Sequence, residues 1–155
     1  MTMKIIKEPN SLLHQPCEPV SNFKEAEKIS DELLILIKSR TKWWNRFMGF
    51  AANQIGYSKR IIVLRRGARK YKVLVNPVFV AKRFPFLYLE NCFSVRGFYL
   101  IKRYLWSKIK YQDLGGNSLE MTFRGLAGVY QEMDHIDGIL VSDIGLRVYN
   151  SKPLV

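Results

Sequence analysis

The sequence is poor in cysteine, in histidine and in long apolar runs. Two cysteines, Cys17 and Cys92, in 155 residues do not make a disulfide scaffold, so we expect no disulfide partner and a reducing compartment. The longest apolar run, residues 33–37, is far too short for a membrane span, and residues 1–10 lack the apolar core of a signal peptide. These absences predict a cytoplasmic protein, or its organellar or viral equivalent in a host cytoplasm, with no membrane association.

Acidic residues are also scarce, with 13 Asp and Glu against 25 Lys and Arg and a formal charge of +12. Such a surplus favours contact with polyanions, and a ribosome contact through a basic surface is one interpretation. Simple solubility is the other, because the basic residues occur in scattered pairs such as Lys59-Arg60 and form no long tract. The length and a hydrophobic content of 48% predict one domain over residues 1–155.

Local patterns predict two helices and several short strands. Asn22 is a good N-cap for a helix over residues 23–40, and Gly138 is a good stop for a second helix over residues 125–137. In the second helix, Leu126 and Met133 belong to an apolar side. Strands are predicted over residues 60–64, 71–75, 78–82, 98–104, 106–111 and 118–123, with Asn76-Pro77 ending the second. Because the connections are short, the strands are expected to be antiparallel, in an α+β fold.

Three segments carry residues that can do chemistry. The first, residues 48–56, reads Met-Gly-Phe-Ala-Ala-Asn-Gln-Ile-Gly. Its small residues let a backbone approach a ligand closely, and Gln54 can both donate and accept hydrogen bonds. Taken alone, this segment is more simply a tight turn with a capping amide.

The second and third segments contain residues that bind transition metals. Cys92 lies among polar residues and can act as a thiolate ligand, although a free cysteine is more often a small buried hydrophobe. In Gln-Glu-Met-Asp-His, Gln131 and His135 lie one helical turn apart, and Glu132 lies between them. With histidine at both ends this spacing chelates a metal while the Glu activates water. With Gln at the first position, a hydrogen-bonded His and Glu pair is the simpler interpretation.

Together and in this order, the three segments resemble those of peptide deformylases. That family shows Gly-x-Gly-x-Ala-Ala-x-Gln, then Glu-Gly-Cys-x-Ser, then Gln-His-Glu-x-Asp-His. The resemblance runs from about residue 5 to residue 143 and includes Asn76-Pro77 and Arg103. It implies antiparallel β-sheets packed around a central C-terminal helix, with the N-terminal helix outside.

The resemblance also implies a metal-dependent hydrolase that removes the formyl group from N-formylmethionyl peptides and releases formate. Cys92 and His135 match two metal ligands; Fe(II) is the usual metal, and Ni, Co or Zn can replace it. Glu132 matches the general base. Gln54 and the backbone N–H of Phe93 match the donors to the developing oxyanion. The positions that brace the site or meet the peptide are matched by Gly49, Glu90 and Arg103.

Gln131 stands where the family has its other histidine ligand, either by substitution or because the histidine has been deleted. A neutral amide oxygen is a poorer donor than imidazole, and His14 aligns with a segment that supplies no ligand. Two interpretations stay open: an active enzyme in which Gln131 or a second water completes the coordination, and a non-catalytic relative that binds formylated N-termini or ribosomes. A third, with Cys92 as a nucleophile beside His135, agrees poorly with the position of Glu132.

Overall fold

The N-terminal helix α1 spans Phe23–Arg40 in the computed structural model, which describes residues 3–45, 47–125 and 128–149. The side-chain oxygen of Asn22 accepts hydrogen bonds from the N–H groups of Lys24 and Glu25, which caps the helix. The helix predicted over residues 23–40 is therefore confirmed. Its buried face consists of Ala26, Ile29, Ser30, Leu33, Leu36 and Ile37.

Six strands form one antiparallel sheet within the described residues. They are β1 (Gly49–Ala51), β2 (Ile61–Arg65), β3 (Tyr71–Cys92), β4 (Val95–Gln112), β5 (Ser118–Arg124) and β6 (Leu146–Tyr149). Their order is β1-β2-β3-β4-β5, and β6 pairs with β4. The α+β fold class is confirmed. The sheets expected from the sequence are joined into one because β4 is long enough to pair with β5 at one end and with β6 near the other.

The strand predicted to end at Asn76-Pro77 does not end there. Asn76 adopts a φ of 50°, and its side chain exchanges hydrogen bonds with the backbone of Val20. The register with β4 shifts between Val75 and Val78, so this pair forms a bulge inside β3. A bulge accommodates Pro77, which has no N–H to donate. The predicted segments 71–75 and 78–82 thus belong to β3, and 98–104 and 106–111 belong to β4.

The C-terminal helix α2 spans Val129–Ile136 and is shorter than predicted. Gly125 has a φ of 74°, which is not helical, and Leu126 lies outside the described residues. Gly138, also with a φ of 74°, ends the helix as predicted; a Cβ there would lie 2.7 Å from the backbone carbon of Gln15. A short helix α3 (Val141–Ile144) leads into β6, a segment whose structure the sequence left undecided.

The first part of the sheet lies between the two main helices. Ile61 and Val63 of β2 pack in the cluster that contains the apolar face of α1, and Ile62 and Leu64 pack in the cluster that contains α2. Because both faces are covered, β2 is apolar at consecutive positions rather than at alternate ones. The central position of α2 and the outer position of α1 are as expected. No helix in the described ranges is long and apolar enough to cross a membrane.

The part of β3 beyond the bulge has one neighbour. From Val78 to Cys92 it pairs with β4, whereas β2 covers only Tyr71 to Val75, and no other described strand pairs with it. The exposed side chains along this part include Phe84, which has a φ of 62°, and Leu87. Within residues 3–45, 47–125 and 128–149, this edge of the sheet therefore has no strand beside it.

The packing of α1 predicts a large difference between two apolar residues on opposite sides of the helix. Leu33 is fully buried, whereas Ile35 is 60% exposed. We expect Leu33→Ala to lower the free energy of unfolding by about 2–5 kcal/mol and Ile35→Ala to change it by less than about 1 kcal/mol. Urea denaturation followed by circular dichroism measures both. Equal losses in the two variants would contradict this placement of the helix.

Candidate functional site

The turn between β3 and β4 brings Cys92 against the last turn of α2. Its Sγ atom lies 3.2 Å from Nε2 of His135, although the two residues are 43 positions apart in the chain. The backbone N–H of Ser94 also points at this sulfur, at 3.4 Å. Both side chains are buried. A soft sulfur donor and an imidazole donor therefore face the same point inside the protein.

Burial determines the protonation of this pair. It raises the pKa of the Cys92 thiol to about 12 and lowers the pKa of His135 to about 4. At neutral pH the two groups by themselves are therefore a protonated thiol and a neutral imidazole. Within the described part of the chain, Nδ1 of His135 is buried without a hydrogen-bond partner. A neutral imidazole is the form that binds a metal, whereas the thiol must first lose its proton.

Glu132 lies beside this pair on α2. Its carboxyl group is buried, and Oε2 has no hydrogen-bond partner among the described residues. Burial, and then the charges of Glu90 and Asp134, raise the pKa of this carboxyl well above its usual value. Gly49 on β1 makes room for it, because a Cβ at that position would lie 2.5 Å from Cγ of Glu132. A buried carboxyl with a raised pKa is well suited to take up and release a proton.

Gln131 occupies the position one helical turn before His135. Its Nε2 donates to the backbone oxygen of Asn91 at 3.0 Å and to Oε2 of Glu90 at 3.3 Å. Both partners are hydrogen-bond acceptors, so the amide nitrogen of Gln131 must point toward β3. The carbonyl oxygen of Gln131 then points away from these two partners. Among residues 3–45, 47–125 and 128–149, no three His, Cys, Asp or Glu side chains form a group that could hold a metal. The site thus contains two side chains that bind transition metals strongly, Cys92 and His135, and one weaker amide ligand, Gln131.

A buried ion-pair network lies next to Gln131. Arg103 on β4 donates to Glu90 through Nε and Nη2, at 2.7 and 2.8 Å, and to Oδ2 of Asp134 through Nη1, at 2.7 Å. Glu90 lies on β3 and Asp134 on α2, so one guanidinium joins both strands of the hairpin to the helix. Two carboxylates and one guanidinium at these distances satisfy most of each other's hydrogen-bonding capacity.

The 3-10 helix Ala52–Ile55, which follows β1, attaches to the site from the other side. Gln54 accepts a hydrogen bond from the N–H of Ala51 at 2.9 Å and donates to Oγ of Ser94 at 3.2 Å. Its neighbour Asn53 donates to the backbone oxygen of His135 at 2.6 Å. These contacts hold Gln54 beside the β3–β4 turn and fix the end of α2.

A cavity of about 590 Å³ opens beside Glu132, a volume typical of ligand-binding pockets. Phe93 lines it and packs its ring at 5.3 Å from that of Phe50. The rest of its wall is mostly aromatic and apolar: Trp44, Phe47, Met48, Phe86, Tyr88, Leu89, Tyr104 and Tyr130. Of the residues predicted from the sequence, those in the lining are Gly49, Glu90, Phe93, Arg103, Gln131 and Glu132, and those outside it are Cys92, His135 and Gln54.

This arrangement matches a known family over most of the chain. The family model of polypeptide deformylase matches residues 2–147. The chain belongs to the polypeptide deformylase family. Peptide deformylases are metal-dependent hydrolases that remove the formyl group from nascent peptides, and membership makes this chain a hydrolase of that type.

Relatives and solved structures agree with this family. Peptide deformylase 1 of Bacillus anthracis is 30% identical over 158 residues, which cover 98% of this chain and 97% of the relative. The Thermotoga maritima peptide deformylase has the same fold, with a TM-score of 0.82 at 24% identity over 93% of this chain and 97% of that one. A class I type b peptide deformylase from Acinetobacter baumannii, solved with Met-Ala-Ser bound, gives a TM-score of 0.80 at 26% identity over 93% and 99% of the two chains.

Three residues of the site were not predicted from the sequence. Asp134 completes the Arg103 network, Ser94 holds Gln54, and Asn53 holds the end of α2. Asp134 lies inside the Gln-Glu-Met-Asp-His segment, so its proximity to the site could have been inferred. No local pattern indicates the contact between Asn53 and residue 135, which depends on tertiary packing.

The buried network predicts a large stability loss when its cation is removed. Arg103→Ala leaves Glu90 and Asp134 without a counter-charge, and we expect the free energy of unfolding to fall by about 3–5 kcal/mol. Lys108, on the same strand, pairs with Glu120 near the surface and is the matched control. Lys108→Ala should cost about 1 kcal/mol or less. Chemical denaturation of both variants is the measurement, and similar losses would show that the Arg103 network does not hold the site together.

Proposed function

We propose that this chain removes the formyl group from N-formylmethionyl peptides at a metal ion held by Cys92 and His135, with Glu132 as the general base. The observation that carries the proposal is the contact of 3.2 Å between Sγ of Cys92 and Nε2 of His135. Beside it, Glu132 is buried with an oxygen that has no partner in the described residues. A thiol, an imidazole and a carboxyl that converge in this way are more than packing requires.

The donor atoms suit a divalent transition metal. Thiolate and imidazole ligands bind Fe, Co, Ni and Zn, and this donor set does not discriminate between them. Fe(II) is the first candidate because it is the usual metal of the family that the chain resembles, with Ni, Co and Zn as alternatives. The buried sulfur and imidazole nitrogen fit such an ion, whereas hard cations such as Mg²⁺ prefer oxygen.

Gln131 is the proposed third donor. Its amide nitrogen is engaged by Asn91 and Glu90, so the carbonyl oxygen is the atom available to a cation. A neutral oxygen donor binds Fe or Zn more weakly than imidazole does. We therefore expect a weaker metal site than one with two histidines and a cysteine.

In the reaction that we propose, each of the site residues described above has a separate role. The ion, when bound, supplies Lewis-acid chemistry that activates water and polarises the formyl group. Glu132 takes a proton from the attacking water and delivers it to the leaving amine. Gln54 and the backbone N–H of Phe93 donate to the formyl oxygen as negative charge develops there. The products are formate and a peptide with a free N-terminal methionine.

The cavity is the proposed peptide site. Met48, Phe86 and Leu89 provide an apolar wall for the methionine side chain, and Gly49 lets the substrate backbone approach. Arg103 and Glu90 brace the wall from inside the protein. The Met-Ala-Ser complex of the Acinetobacter baumannii enzyme supports a peptide as ligand. The proposed substrate is the formylated N-terminus of nascent peptides, which are made in the cytoplasm. The net charge of +12 supports a contact with the ribosome, whose RNA is a polyanion.

Replacement of Gln131 tests the metal centre directly. Gln131→His should raise the affinity for Co(II) or Zn(II) by about 10–100-fold or more and raise formate release with it. Gln131→Ala should lower the affinity, because it removes the weak third donor. Competition with a chromophoric chelator measures the affinity, and Ni(II)-loaded protein with formyl-Met-Ala-Ser measures turnover. Unchanged affinity in Gln131→His would mean that position 131 does not face the ion.

The role of Glu132 has its own test. Glu132→Gln keeps the shape of the side chain but removes the base, so formate release should fall by about 10²–10⁴-fold while the bound metal stays the same. Glu120→Gln, at an exposed carboxylate on β5, is the control for loss of one negative charge. The comparison is best made in the wild-type chain and in Gln131→His. If Glu132→Gln retains wild-type turnover at equal metal content, another group moves the protons.

A further inference from the structure

The end of α1 and the loop after it contribute a basic side to the cavity. Arg40, the last residue of α1, and Lys42 both line the cavity that also contains Glu132 and Gln131. Nζ of Lys42 lies 5.1 Å from the ring centroid of Trp44, another lining residue. The apolar residues of the wall come mainly from β3 and from the same loop, which contributes Trp44 and Met48. The cavity therefore combines apolar side chains with two basic ones.

The basic residues that line the cavity differ in whether a carboxylate neutralises them. Arg103 is neutralised inside the protein by Glu90 and Asp134. Within the described ranges, neither Arg40 nor Lys42 forms an ion pair with a carboxylate. The positive charges of these two cavity-lining residues are thus not neutralised by a carboxylate in these ranges.

The orientation of the bound peptide determines which of its residues come near Arg40 and Lys42. A formyl group is at the N-terminus of its peptide, so when it lies at Glu132 all the remaining residues extend into other parts of the cavity or out of it. The methionine side chain requires apolar contacts, and Arg40 and Lys42 line the same cavity that the next residues pass through. A carboxylate among them would gain an attraction that an amide of the same shape would not.

We propose that this chain prefers formylated peptides with Asp or Glu in the residues that follow the formylmethionine, and that Arg40 and Lys42 determine this preference. The inference depends on the proposed function, since it assigns a class of substrate to the same site. The attraction acts on binding of the peptide rather than on the reacting atoms, so it lowers KM and leaves kcat nearly constant.

The experiment compares peptides that differ in one charge. Formyl-Met-Ala-Glu-amide is paired with formyl-Met-Ala-Gln-amide, and formyl-Met-Glu-Ala-amide with formyl-Met-Gln-Ala-amide; the amidated ends remove the terminal carboxylate. With Ni(II)-loaded protein at low salt, we expect kcat/KM to be about three- to tenfold higher for the acidic member of at least one pair. The ratio should fall toward one as salt is raised.

A double variant and a matched control separate the two side chains from the overall charge. Arg40→Gln with Lys42→Gln should bring the ratio close to one. Lys24→Gln with Lys28→Gln removes the same charge from exposed residues toward the other end of the same helix, about 24 Å and about 18 Å from Arg40 by helix rise. This control should keep the wild-type ratio.

Kinetics decide the inference if the peptides are turned over, and a binding measurement decides it if they are not. Equal kcat/KM within both pairs, or an equal loss of preference in the two double variants, would overturn it. If no peptide releases formate, the proposed function fails, and the affinity ratio of the same pairs, measured by calorimetry, still decides whether Arg40 and Lys42 select acidic peptides. A calorimetric ratio near one in that case overturns the inference as well.

Discussion

The guanidinium of Arg103 holds together the parts of the chain on which the site depends. It reaches Glu90 on one strand of the long hairpin and Asp134 on the C-terminal helix from its own position on the other strand. Cys92 follows Glu90 by two positions, and His135 follows Asp134 by one. Because these short spacings leave little freedom, the ion-pair network fixes how close the sulfur and the imidazole can come. The same carboxylate of Glu90 also orients the amide of Gln131.

Cys92, Glu132 and His135 are buried, and burial explains several properties of the site together. Burial keeps the Cys92 thiol protonated and the His135 imidazole neutral. Burial also strengthens the interaction of a cation with the surrounding dipoles, since screening by water is weaker there. A cation displaces the thiol proton as it binds, so uptake of the metal becomes weaker as the pH falls. An amide at position 131 contributes no negative charge to offset the ion, which makes the sulfur the principal anionic ligand.

Much of the fold could be predicted from the sequence, and the exceptions have physical causes. The bounds of α1 follow from the cap at Asn22 and from apolar spacing, both of which are local signals. Asn76-Pro77 was misleading because a bulge and a strand end use the same residues, and only the tertiary contacts of Asn76 with Val20 distinguish them. The residues of the site were predicted from their order along the chain and from the resemblance that this order carries. The contact between Asn53 and the end of α2 could not be predicted, because it joins residues 82 positions apart.

The open edge of β3 has a consequence for contacts between copies of this chain. An unpaired strand offers backbone donors and acceptors to any other extended chain, which is a common route to aggregation. Here Pro85 interrupts the row of donors, and Phe84, with its φ of 62°, distorts the strand just before it. Lys82 and Arg83 add like charges that repel a second copy. These features make pairing of this edge with a second copy less favourable than it would be for a flat, apolar strand.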